Sequence, residues 1–435
     1  MIARAAWSWL LRLLLPLIFM RLWWRGRREP GYRLAWRERL GFGVTSTPGA
    51  VWLHAVSLGE TRAASALIDA LRARVPGMRI LLTHGTATGR EAGQALLRAG
   101  DHQCWLPYDT PGATRRFLQR HRPAVGVLME TEVWPNLLLQ AHDCGVPMVL
   151  ANARLSERSA RKGERLSALI APAARTLDLV LAQTRDDAAR LSAAGAREVE
   201  VSGNLKFDMA PDAALIARGR RWRAALQRPV VMMASSREGE EPPLLQAWLA
   251  QPAPRPLLLL VPRHPQRFDT VAQIVRDAQM DLQRRSQWAD APPPGADAAD
   301  VWLGDSLGEM PLYYAASDVA LLGGSFAPLG GQNLIEAAAC ACPVVMGPHT
   351  FNFEQAADHA VTERAALRVA DIDEGVVRAI ELTRDALHAQ WAERAAAFAQ
   401  MHKGAAHRMA ERIVRLAGAR IGAQAADATR VGLAG

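Results

Sequence analysis

The sequence predicts an α/β fold made of two Rossmann-like, doubly wound halves with a cleft between them. At 435 residues the chain is too long for one hydrophobic core and fits two domains of ordinary size. Half of its residues are hydrophobic, which is enough to fill both cores. Short apolar runs alternate with helical stretches after residue 50, and the same rhythm restarts near residue 229. This alternation is typical of parallel sheets covered by helices.

Strands are predicted where short apolar runs lie between turn signals. In the first half these runs are 51–56, 79–84, 124–130, 147–153, 177–183 and 199–203. In the second half they are 229–236, 256–264, 300–305, 318–324 and 342–347. Segments with helical spacing separate them, and the proline-rich stretch 290–300 is predicted to be a surface loop.

The segment GNLKFDMAPD, residues 203–212, is predicted to join the two halves and to act as their hinge. The expected parts are therefore an N-terminal anchor, two Rossmann-like domains, and a C-terminal helix with its tail. Their predicted bounds are 1–30, 31–205, 206–390 and 391–435.

Residues 7–24, WSWLLRLLLPLIFMRLWW, are almost all apolar and carry tryptophan at both ends. Tryptophan favours the headgroup layer of a membrane, and the run is just long enough to cross a bilayer. Arg12 inside the run would cost about 2.5–3.5 kcal/mol at the bilayer centre, so a tilted span and an interfacial anchor both stay open. The arginine-rich stretch 25–39 favours a cytoplasmic position, beside anionic lipid, for the rest of the chain. We therefore expect a single N-terminal membrane anchor.

The formal net charge of +9 would also suit a protein that binds nucleic acid or anionic lipid without catalysis. The basic residues are spread along the chain, however, and the sequence has no RNA-binding signature or basic zipper. A binding protein of this kind would leave the carboxylates at the predicted strand ends unexplained. No nucleic-acid partner is predicted.

Motifs for metals and common cofactors do not occur in the sequence. The four cysteines lack metal-type spacing and are expected to be small core residues. There is no GxGxxG after the first strand, no P-loop, no HExxH and no GxSxG. Asp371 and Asp373 form a DxD pair, which a solvated loop explains equally well. No metal and no other cofactor is predicted.

Polar residues follow several predicted strands, at the edge where open α/β sheets build their sites. Glu60 lies just behind the first strand at the positive end of a helix dipole, although Ser57 alone would cap that helix. Glu130 and Glu132 follow a later strand and compete for one role, and Lys206 follows the last strand of the first half. The first half is therefore predicted to hold acidic groups beside a cation.

In the second half, Arg263 follows a buried strand, and residues 308–310 begin a helix. The glycine-rich stretch 323–339 contains Gly330 and Gly331 directly before another helix. Backbone N–H groups at such a helix start bind phosphate, and Glu336 is placed to accept hydrogen bonds from ribose hydroxyls. This half is therefore predicted to hold a phosphate and its ribose.

Ten blocks of the sequence, in their order, resemble the 3-deoxy-D-manno-octulosonic acid (Kdo) transferases of lipopolysaccharide synthesis. They are HAVSLGE, LPYDTP, METEVWPNL, NARLSERS, GNLKFD, EGEE, VPRHPQRF, GEMPLYYAASDVALLGGS, GGQNLIE and MGPHTFNF. The similarity runs from the anchor to about residue 360. It implies the GT-B fold of that family, with an acceptor-binding first domain and a donor-binding second domain.

The resemblance also implies the reaction and the residues that perform it. CMP-Kdo would donate its sugar to the lipid A precursor (lipid IVA) with inversion, without metal, at the cytoplasmic face of the cell inner membrane. Glu60 matches the catalytic base of the family, and Glu130 and Lys206 match its transition-state stabilisers. The implied CMP contacts are Pro262, Arg263, Gly308, Glu309, Met310, Asn333, Leu334, Ile335 and Glu336.

The chain departs from the family pattern in two blocks. Gln332 and Leu334 stand where the usual block has His and Pro, so a cationic contact at 332 is lost. Arg237 stands in place of another His and adds a permanent positive charge. A sugar-nucleotide epimerase of the same fold is the enzymatic alternative, but it would need neither a membrane anchor nor a base that faces an acceptor.

Overall fold

The structure, a computed structural model, describes residues 2–209 and 211–432 and the side chains of these residues except 419 and 422–432. The chain forms two compact units, one made of Met1–Met209 with Lys403–Gly435 and the other of Ala210–His402. Within the described residues, each unit contains one seven-stranded sheet in which every pairing is parallel. The doubly wound α/β class predicted from the sequence is confirmed. The exact domain bounds stay a prediction.

The sheet of the first unit has the strand order β3-β2-β1-β4-β5-β6-β7. Its strands are β1 Val51–His54, β2 Ile80–His84, β3 His102–Trp105, β4 Val125–Met129, β5 Met148–Ala153, β6 Leu179–Ala182 and β7 Val199–Val201. The chain order reverses between β1 and β4. Open α/β sheets place their sites at such a reversal, beyond the carboxyl ends of the two strands.

Helices pack on both faces of this sheet, as α2 does on one and α4 on the other. The helices of the first unit up to residue 209 are α1 Ile2–Arg25, α2 Leu58–Arg74, α3 Ala87–Gln94, α4 Pro111–His121, α5 Pro135–Asp143, α6 Glu157–Glu164, α7 Ser167–Ala174 and α8 Arg185–Ala193. Short 3-10 helices occur at Pro30–Arg33, Trp36–Leu40 and Leu205–Asp208. Successive residues of β1 enter different cores: Val51 and Leu53 pack with α2, whereas Trp52 packs with α4 and α5. Burial on both faces explains why this strand reads as a continuous apolar run.

The sheet of the second unit has the order β10-β11-β9-β8-β12-β13-β14, and its chain order reverses between β8 and β12. Its strands are β8 Val230–Ser236, β9 Leu257–Pro262, β10 Leu282–Arg284, β11 Val301–Leu303, β12 Val319–Leu322, β13 Val344–Met346 and β14 Ala366–Arg368. Its helices are α9 Ala213–Ala225, α10 Glu241–Leu249, α11 Phe268–Asp277, α12 Met310–Ala315, α13 Leu334–Ala339, α14 Glu354–Thr362, α15 Ile372–Arg384 and α16 His388–Met401. Further 3-10 turns lie at Pro265–Arg267, Arg285–Gln287 and Ala296–Ala298.

The C-terminal helix α17, Ala405–Gly432, returns to the first unit. Its apolar residues from Ala405 to Ile421 pack with α2 in the core under the first sheet. The Asp208 carboxylate holds the start of α17, accepting from the backbone N–H of Ala406 at 2.6 Å. The first unit is therefore completed by the far end of the chain.

Every segment predicted as a strand forms one, whereas β3, β10 and β14 were not predicted. The cysteine expectation is wrong for Cys144, which is exposed because it ends α5 at the surface, and the other three are buried. The stretch 290–300 is a mostly exposed loop, as predicted.

Helix α1 is long and apolar enough to cross a membrane, and among the described residues it is the one helix that meets this criterion of length and composition. It nevertheless contacts the first unit near both ends. The Trp7 indole N–H donates to the Asp109 carboxylate at 2.9 Å, and the Ser8 hydroxyl donates to Asn136 Oδ1 at 3.2 Å. Near the other end, the Phe19 ring packs edge-on against Trp36 and Tyr108.

Asp109 ties α1 to the start of α5. Besides the Trp7 indole, its carboxylate accepts from the backbone N–H of Leu137 at 2.8 Å and of Asn136 at 3.2 Å. Asp109 is 2% exposed, and burial raises the pKa of its carboxyl against the lowering effect of these donors. The helix start that follows Glu130 and Glu132 is thereby fixed from another part of the chain.

Replacing Asp109 with Ala is expected to lower the free energy of unfolding by about 2–3 kcal/mol, because two buried backbone N–H groups and the Trp7 indole lose their acceptor. Urea denaturation measures the loss. Asp143→Ala is the control: Asp143 lies at the exposed end of α5, the helix whose start Asp109 binds, and its replacement should change stability by less than about 0.5 kcal/mol. Equal losses in the two variants would contradict this account.

Candidate active site

Glu60 lies in the first turn of α2, directly beyond β1. Its carboxylate accepts from the Val56 backbone N–H at 2.8 Å and from the Ser57 hydroxyl at 3.0 Å, while Ser57 Oγ accepts from the Glu60 N–H at 3.4 Å. The Ser57 cap expected from the sequence is therefore confirmed, and the Glu60 carboxylate adds its own bonds to the residues that precede the helix. These bonds also fix the direction of the Glu60 carboxylate at the edge of the sheet.

Glu130 follows β4 directly, so Glu60 and Glu130 lie beyond the two strands that flank the chain reversal. The backbone φ of Glu130 is +58°, in the left-handed region that residues other than glycine seldom adopt. Such a conformation costs about 1–3 kcal/mol and concentrates at functional sites, where the surrounding fold imposes it. Here the Glu130 N–H is held by the Ala151 carbonyl at 3.0 Å.

Lys206 lies on the 3-10 turn Leu205–Asp208, which packs against α2. The Asn204 side chain caps this turn by accepting from the Lys206 N–H at 2.9 Å, and the Leu205 N–H donates to Asn152 at 3.0 Å. The turn therefore brings a positive charge towards the helix that carries Glu60.

The pKa of Glu60 depends on the charges of both Glu130 and Lys206. Burial raises this pKa, the hydrogen bonds from Val56 and Ser57 lower it, the Glu130 charge raises it, and the Lys206 charge lowers it. Together these effects place the pKa of Glu60 above the usual value of a glutamate. The structure thus brings together Glu60, Glu130 and Lys206, as the sequence predicts.

Glu132 joins the same acidic group. Burial raises the pKa of its carboxyl to about 7, and the charges of Glu60 and Glu130 add to the effect. The Trp134 indole N–H donates to Glu132 Oε2 at 2.7 Å. His54 Nε2 lies 3.9 Å from the same oxygen, but burial lowers the pKa of His54 to about 3, so this contact is not an ion pair. A large fraction of Glu132 is therefore protonated near neutral pH.

This shift predicts how stability depends on pH. A glutamate in the unfolded chain loses its proton near about pH 4.3, whereas folded Glu132 keeps it up to about pH 7. Between these values the folded state binds more protons, so the Glu132 contribution to stability falls as the pH rises and is lost above pH 7. Glu132→Gln should remove this slope and exceed wild-type stability by about 2–3 kcal/mol at pH 8.

Urea denaturation at pH 5, 6, 7 and 8 measures the slope of both proteins. Glu91→Gln, a change of an exposed glutamate on α3, serves as the control and should follow the wild-type curve. Parallel curves for wild type and Glu132→Gln would mean that Glu132 is not the group responsible.

In the second unit, the residues predicted to bind CMP all follow carboxyl ends of strands in one sheet. Pro262 ends β9 and Arg263 follows it, exposed. Residues 308–310 follow β11 and include the first residue of α12, and residues 333–336 lie between β12 and β13 at the start of α13. Because parallel strands end at the same edge, the fold places these segments along one side of the sheet.

The carboxylate of Glu309 is already bound by other side chains of the protein. The Arg285 guanidinium donates to its carboxylate at 2.9 Å, and Arg218 and Ser306 bind the same group. Burial alone would raise the pKa of Glu309, but these donors outweigh it and hold the pKa below its usual value. Any contact between Glu309 and a ligand is therefore left to its main chain.

At the start of α13, few side chains are available to bind a ligand. Leu334 and Ile335 are 1% and 2% exposed, so their side chains belong to the core. The Ile335 N–H is taken by the side chain of Asn333, which accepts it at 3.1 Å. Leu334 and Ile335 therefore shape the loop before them rather than offer side chains to a ligand.

Sequence reasoning assigned no role to Glu240, although it lies in the EGEE block. Its carboxylate, 3% exposed, accepts from the Gly324 N–H with both oxygens at 2.8 Å and from the Arg237 N–H at 2.8 Å. Glu240 thereby ties the end of β8 to the glycine-rich loop that follows β12. No sequence signal points to this link, because it joins segments more than eighty residues apart.

No group of three or more His, Cys, Asp or Glu side chains suited to a metal ion occurs in residues 2–209 and 211–432. The DxD pair does not form a cluster either. Asp371 caps α15 by accepting from the Glu374 N–H at 2.9 Å. The absence of a metal stays a prediction.

Known proteins resemble the chain over most of its length. Residues 34–209 match the family profile described as 3-deoxy-D-manno-octulosonic-acid transferase (kdotransferase). The chain is 48% identical to the 3-deoxy-D-manno-octulosonic acid transferase of Bordetella pertussis over 421 residues, which are 93% of this chain and 97% of that protein. It is 34% identical to the protein of the same name from Haemophilus influenzae, over 84% of this chain and 87% of that one.

Among solved structures, the UDP-GlcNAc 2-epimerase of Neisseria meningitidis bound to UDP-GlcNAc aligns with a TM-score of 0.56. The alignment covers 84% of this chain and 98% of that chain at 13% identity. An identity this low shows the fold alone, and the GT-B fold predicted from the sequence is thereby confirmed. It does not favour an epimerase, since the sequence relatives at 48% and 34% identity are named transferases.

Proposed function

The chain belongs to the 3-deoxy-D-manno-octulosonic acid (Kdo) transferase family, and from this premise we propose that it transfers Kdo from CMP-Kdo to the lipid A precursor lipid IVA. The chain is therefore a glycosyltransferase. The proposed reaction inverts the anomeric carbon and uses no metal. CMP, the leaving group, takes the electron pair of the bond that breaks.

Glu60 is the proposed general base. It would take the proton of the acceptor hydroxyl while the hydroxyl oxygen forms its bond to the anomeric carbon of Kdo. A base is most effective when its pKa approaches the working pH, and burial and the Glu130 charge both raise the pKa of Glu60. The hydrogen bonds from Val56 and Ser57 orient the carboxylate for this role.

Glu130 and Lys206 are the proposed transition-state stabilisers. The anomeric carbon becomes oxocarbenium-like as CMP departs, and a carboxylate such as Glu130 stabilises that positive charge. Lys206 supplies a positive charge for the negative charge that develops on the leaving side or for the Kdo carboxylate. The strained backbone of Glu130 supports this role, because the fold holds its side chain where an unstrained chain would not.

The second unit is the proposed binding site for CMP. Arg263 offers its guanidinium, whereas Pro262, Glu309 and Leu334 would contribute main-chain groups, since the carboxylate of Glu309 is occupied and the side chain of Leu334 is buried. Ile335, whose N–H is taken by Asn333, would line the site through its position at the start of α13. The remaining proposed contacts are Gly308, Met310, Asn333 and Glu336. The backbone φ of Gly308 is +80°, and a Cβ built there would meet no atom within 4 Å, which leaves room for a ligand beside the main chain.

The observation that best supports this proposal is the position of Glu60 and Glu130 beyond the carboxyl ends of β1 and β4, where the charges of Glu130 and Lys206 both act on Glu60. The test is a transfer assay with lipid IVA and CMP-Kdo generated in place, read by mass spectrometry. A product heavier by one or more Kdo residues is expected. A folded wild-type protein that yields no product would overturn the choice of acceptor.

We also propose that α1 lies in the cytoplasmic face of the inner membrane rather than crossing it. Large apolar side chains along α1 are exposed, namely Trp9, Leu13, Leu17, Met20, Trp23 and Trp24. The contacts of Trp7, Ser8 and Phe19 hold both ends of the helix along the first unit. An apolar face on a helix held in this way suits insertion into one leaflet beside anionic lipid.

A cysteine label distinguishes the two arrangements. Ile2→Cys in a Cys144→Ser background places a thiol at the start of α1, and a membrane-impermeant maleimide is then added to intact spheroplasts. An interfacial helix leaves this thiol unlabelled until the cells are lysed. Labelling in intact spheroplasts would show that α1 crosses the membrane.

A further inference from the structure

Two arginines stand side by side at the edge of the sheet in the second unit. Arg237 follows β8 and Arg263 follows β9, and these strands are neighbours. The Arg263 N–H donates to the carbonyl of Ser236 at 3.0 Å, which fixes the two strand ends against each other. Both residues therefore lie next to the point where the chain order reverses between β8 and β12.

The acidic residues nearest in sequence leave these arginines unpaired. The Glu240 carboxylate accepts backbone N–H groups, and the fully buried Glu241 accepts two hydrogen bonds from Arg267 at 2.6 and 3.0 Å. Glu238 is exposed. In the part of the chain that the structure describes, neither the Arg237 nor the Arg263 guanidinium has a hydrogen-bond acceptor or an ion pair.

The positive potential of this corner acts on a neighbouring histidine. Burial lowers the pKa of His264, and the charges of Arg237, Arg263 and Arg267 lower it further. Arg267 is paired with Glu241, so the guanidinium groups of Arg237 and Arg263 are the ones available to bind an anion.

Gly324, in the loop that follows β12, lies beside Arg237. Its φ is +71°, and a Cβ built there would lie 3.3 Å from the Gln332 amide nitrogen and 3.6 Å from Cγ of Arg237. The stem of Arg237 and the Gln332 amide therefore border the same glycine. An amide and a guanidinium both donate hydrogen bonds, so these two groups offer donors without adding a negative charge.

We propose that Arg237, together with Arg263 and the Gln332 amide, forms an oxyanion site for the sugar-nucleotide donor. The inference rests on the proposed function and extends it to a residue that stands where the family pattern has His. CMP-Kdo carries two oxyanions, a phosphate and the carboxylate of its sugar. Arginine binds either group through paired N–H donors, and its charge does not depend on pH in the physiological range.

The test compares wild type, Arg237→Gln and Arg276→Gln, the last a matched change of an exposed arginine on α11. Calorimetric titrations with CMP and with cytidine give the affinities, and steady-state transfer gives KM for CMP-Kdo. A thermal melt checks that each variant is folded. Loss of a charged hydrogen bond predicts a change of about tenfold or more.

A tenfold loss of CMP affinity with unchanged cytidine affinity assigns Arg237 to the phosphate. Unchanged CMP affinity with a tenfold rise in KM for CMP-Kdo assigns it to the sugar carboxylate. Values within twofold of wild type in both measurements, as expected for Arg276→Gln, would overturn the site alone. A folded wild type that binds no CMP and transfers no sugar would instead overturn the proposed function, and the site with it.

Discussion

Replacing Glu60 with Gln is expected to lower kcat for Kdo transfer by about 10³-fold, because the amide cannot take the proton of the acceptor hydroxyl. Gln keeps the size of the side chain and one oxygen that accepts from Val56 or Ser57. CMP affinity should be unchanged, since the proposed nucleotide contacts all lie in the other unit. The mass-spectrometric transfer assay and a CMP titration measure the two quantities.

The matched control for Glu60 is Ser57→Ala, because both residues cap α2. Removal of the serine hydroxyl should cost about 1 kcal/mol of stability but leave the carboxylate in place. The control should therefore keep kcat within about tenfold of wild type. If Glu60→Gln retained more than a tenth of wild-type kcat, Glu60 would not be the base, and its contribution would be limited to the helix start.

Replacing Arg267 with Met is expected to lower the free energy of unfolding by about 3–5 kcal/mol. Arg267 is the partner of Glu241, whose side chain has no exposed area. Among the described residues, the change would leave this buried carboxylate with the Ser236 hydroxyl, which donates to it at 2.7 Å, as its one remaining partner. Removal of one member of a buried pair is costly because the remaining charge has lost its solvent as well as its partner. Urea denaturation of wild type and variant measures the loss.

The double variant Arg267→Met with Glu241→Met tests the cause. It removes both charges, so it should recover much of the stability that the single variant loses. Arg276→Met, on the exposed face of α11, should change stability by less than about 0.5 kcal/mol. A loss below about 1 kcal/mol in Arg267→Met would contradict the account, as would a double variant no more stable than the single one.

The fold could be predicted from the sequence wherever strands are buried on both faces. The strands that were not predicted, β3, β10 and β14, all lie at an edge of their sheet. An edge strand has one neighbour and is partly open to solvent, so its residues need not form an apolar run; β10, for example, reads LQR. Hydrophobic periodicity carries little information about such strands.

The candidate site was predictable in position but not in detail. Glu60 and Glu130 follow apolar strands, Lys206 follows the edge strand β7, and parallel strands end at a common edge, so their position at one edge follows from the fold class. Their individual roles come from the family resemblance and stay predictions. The ion pair between the Glu309 carboxylate and Arg218 could not be predicted from the sequence, because the two residues lie 91 positions apart in the chain.

The return of α17 to the first unit affects the order in which the protein can fold during its synthesis. The ribosome completes residues 211–402, a continuous stretch, before it makes the helix that fills the core beneath α2. The second unit can therefore reach its native core while the first, although made earlier, still lacks the apolar residues from Ala405 to Ile421. Until translation ends, the nascent chain carries an unfinished core together with the apolar face of α1, two surfaces that attract chaperones or membrane.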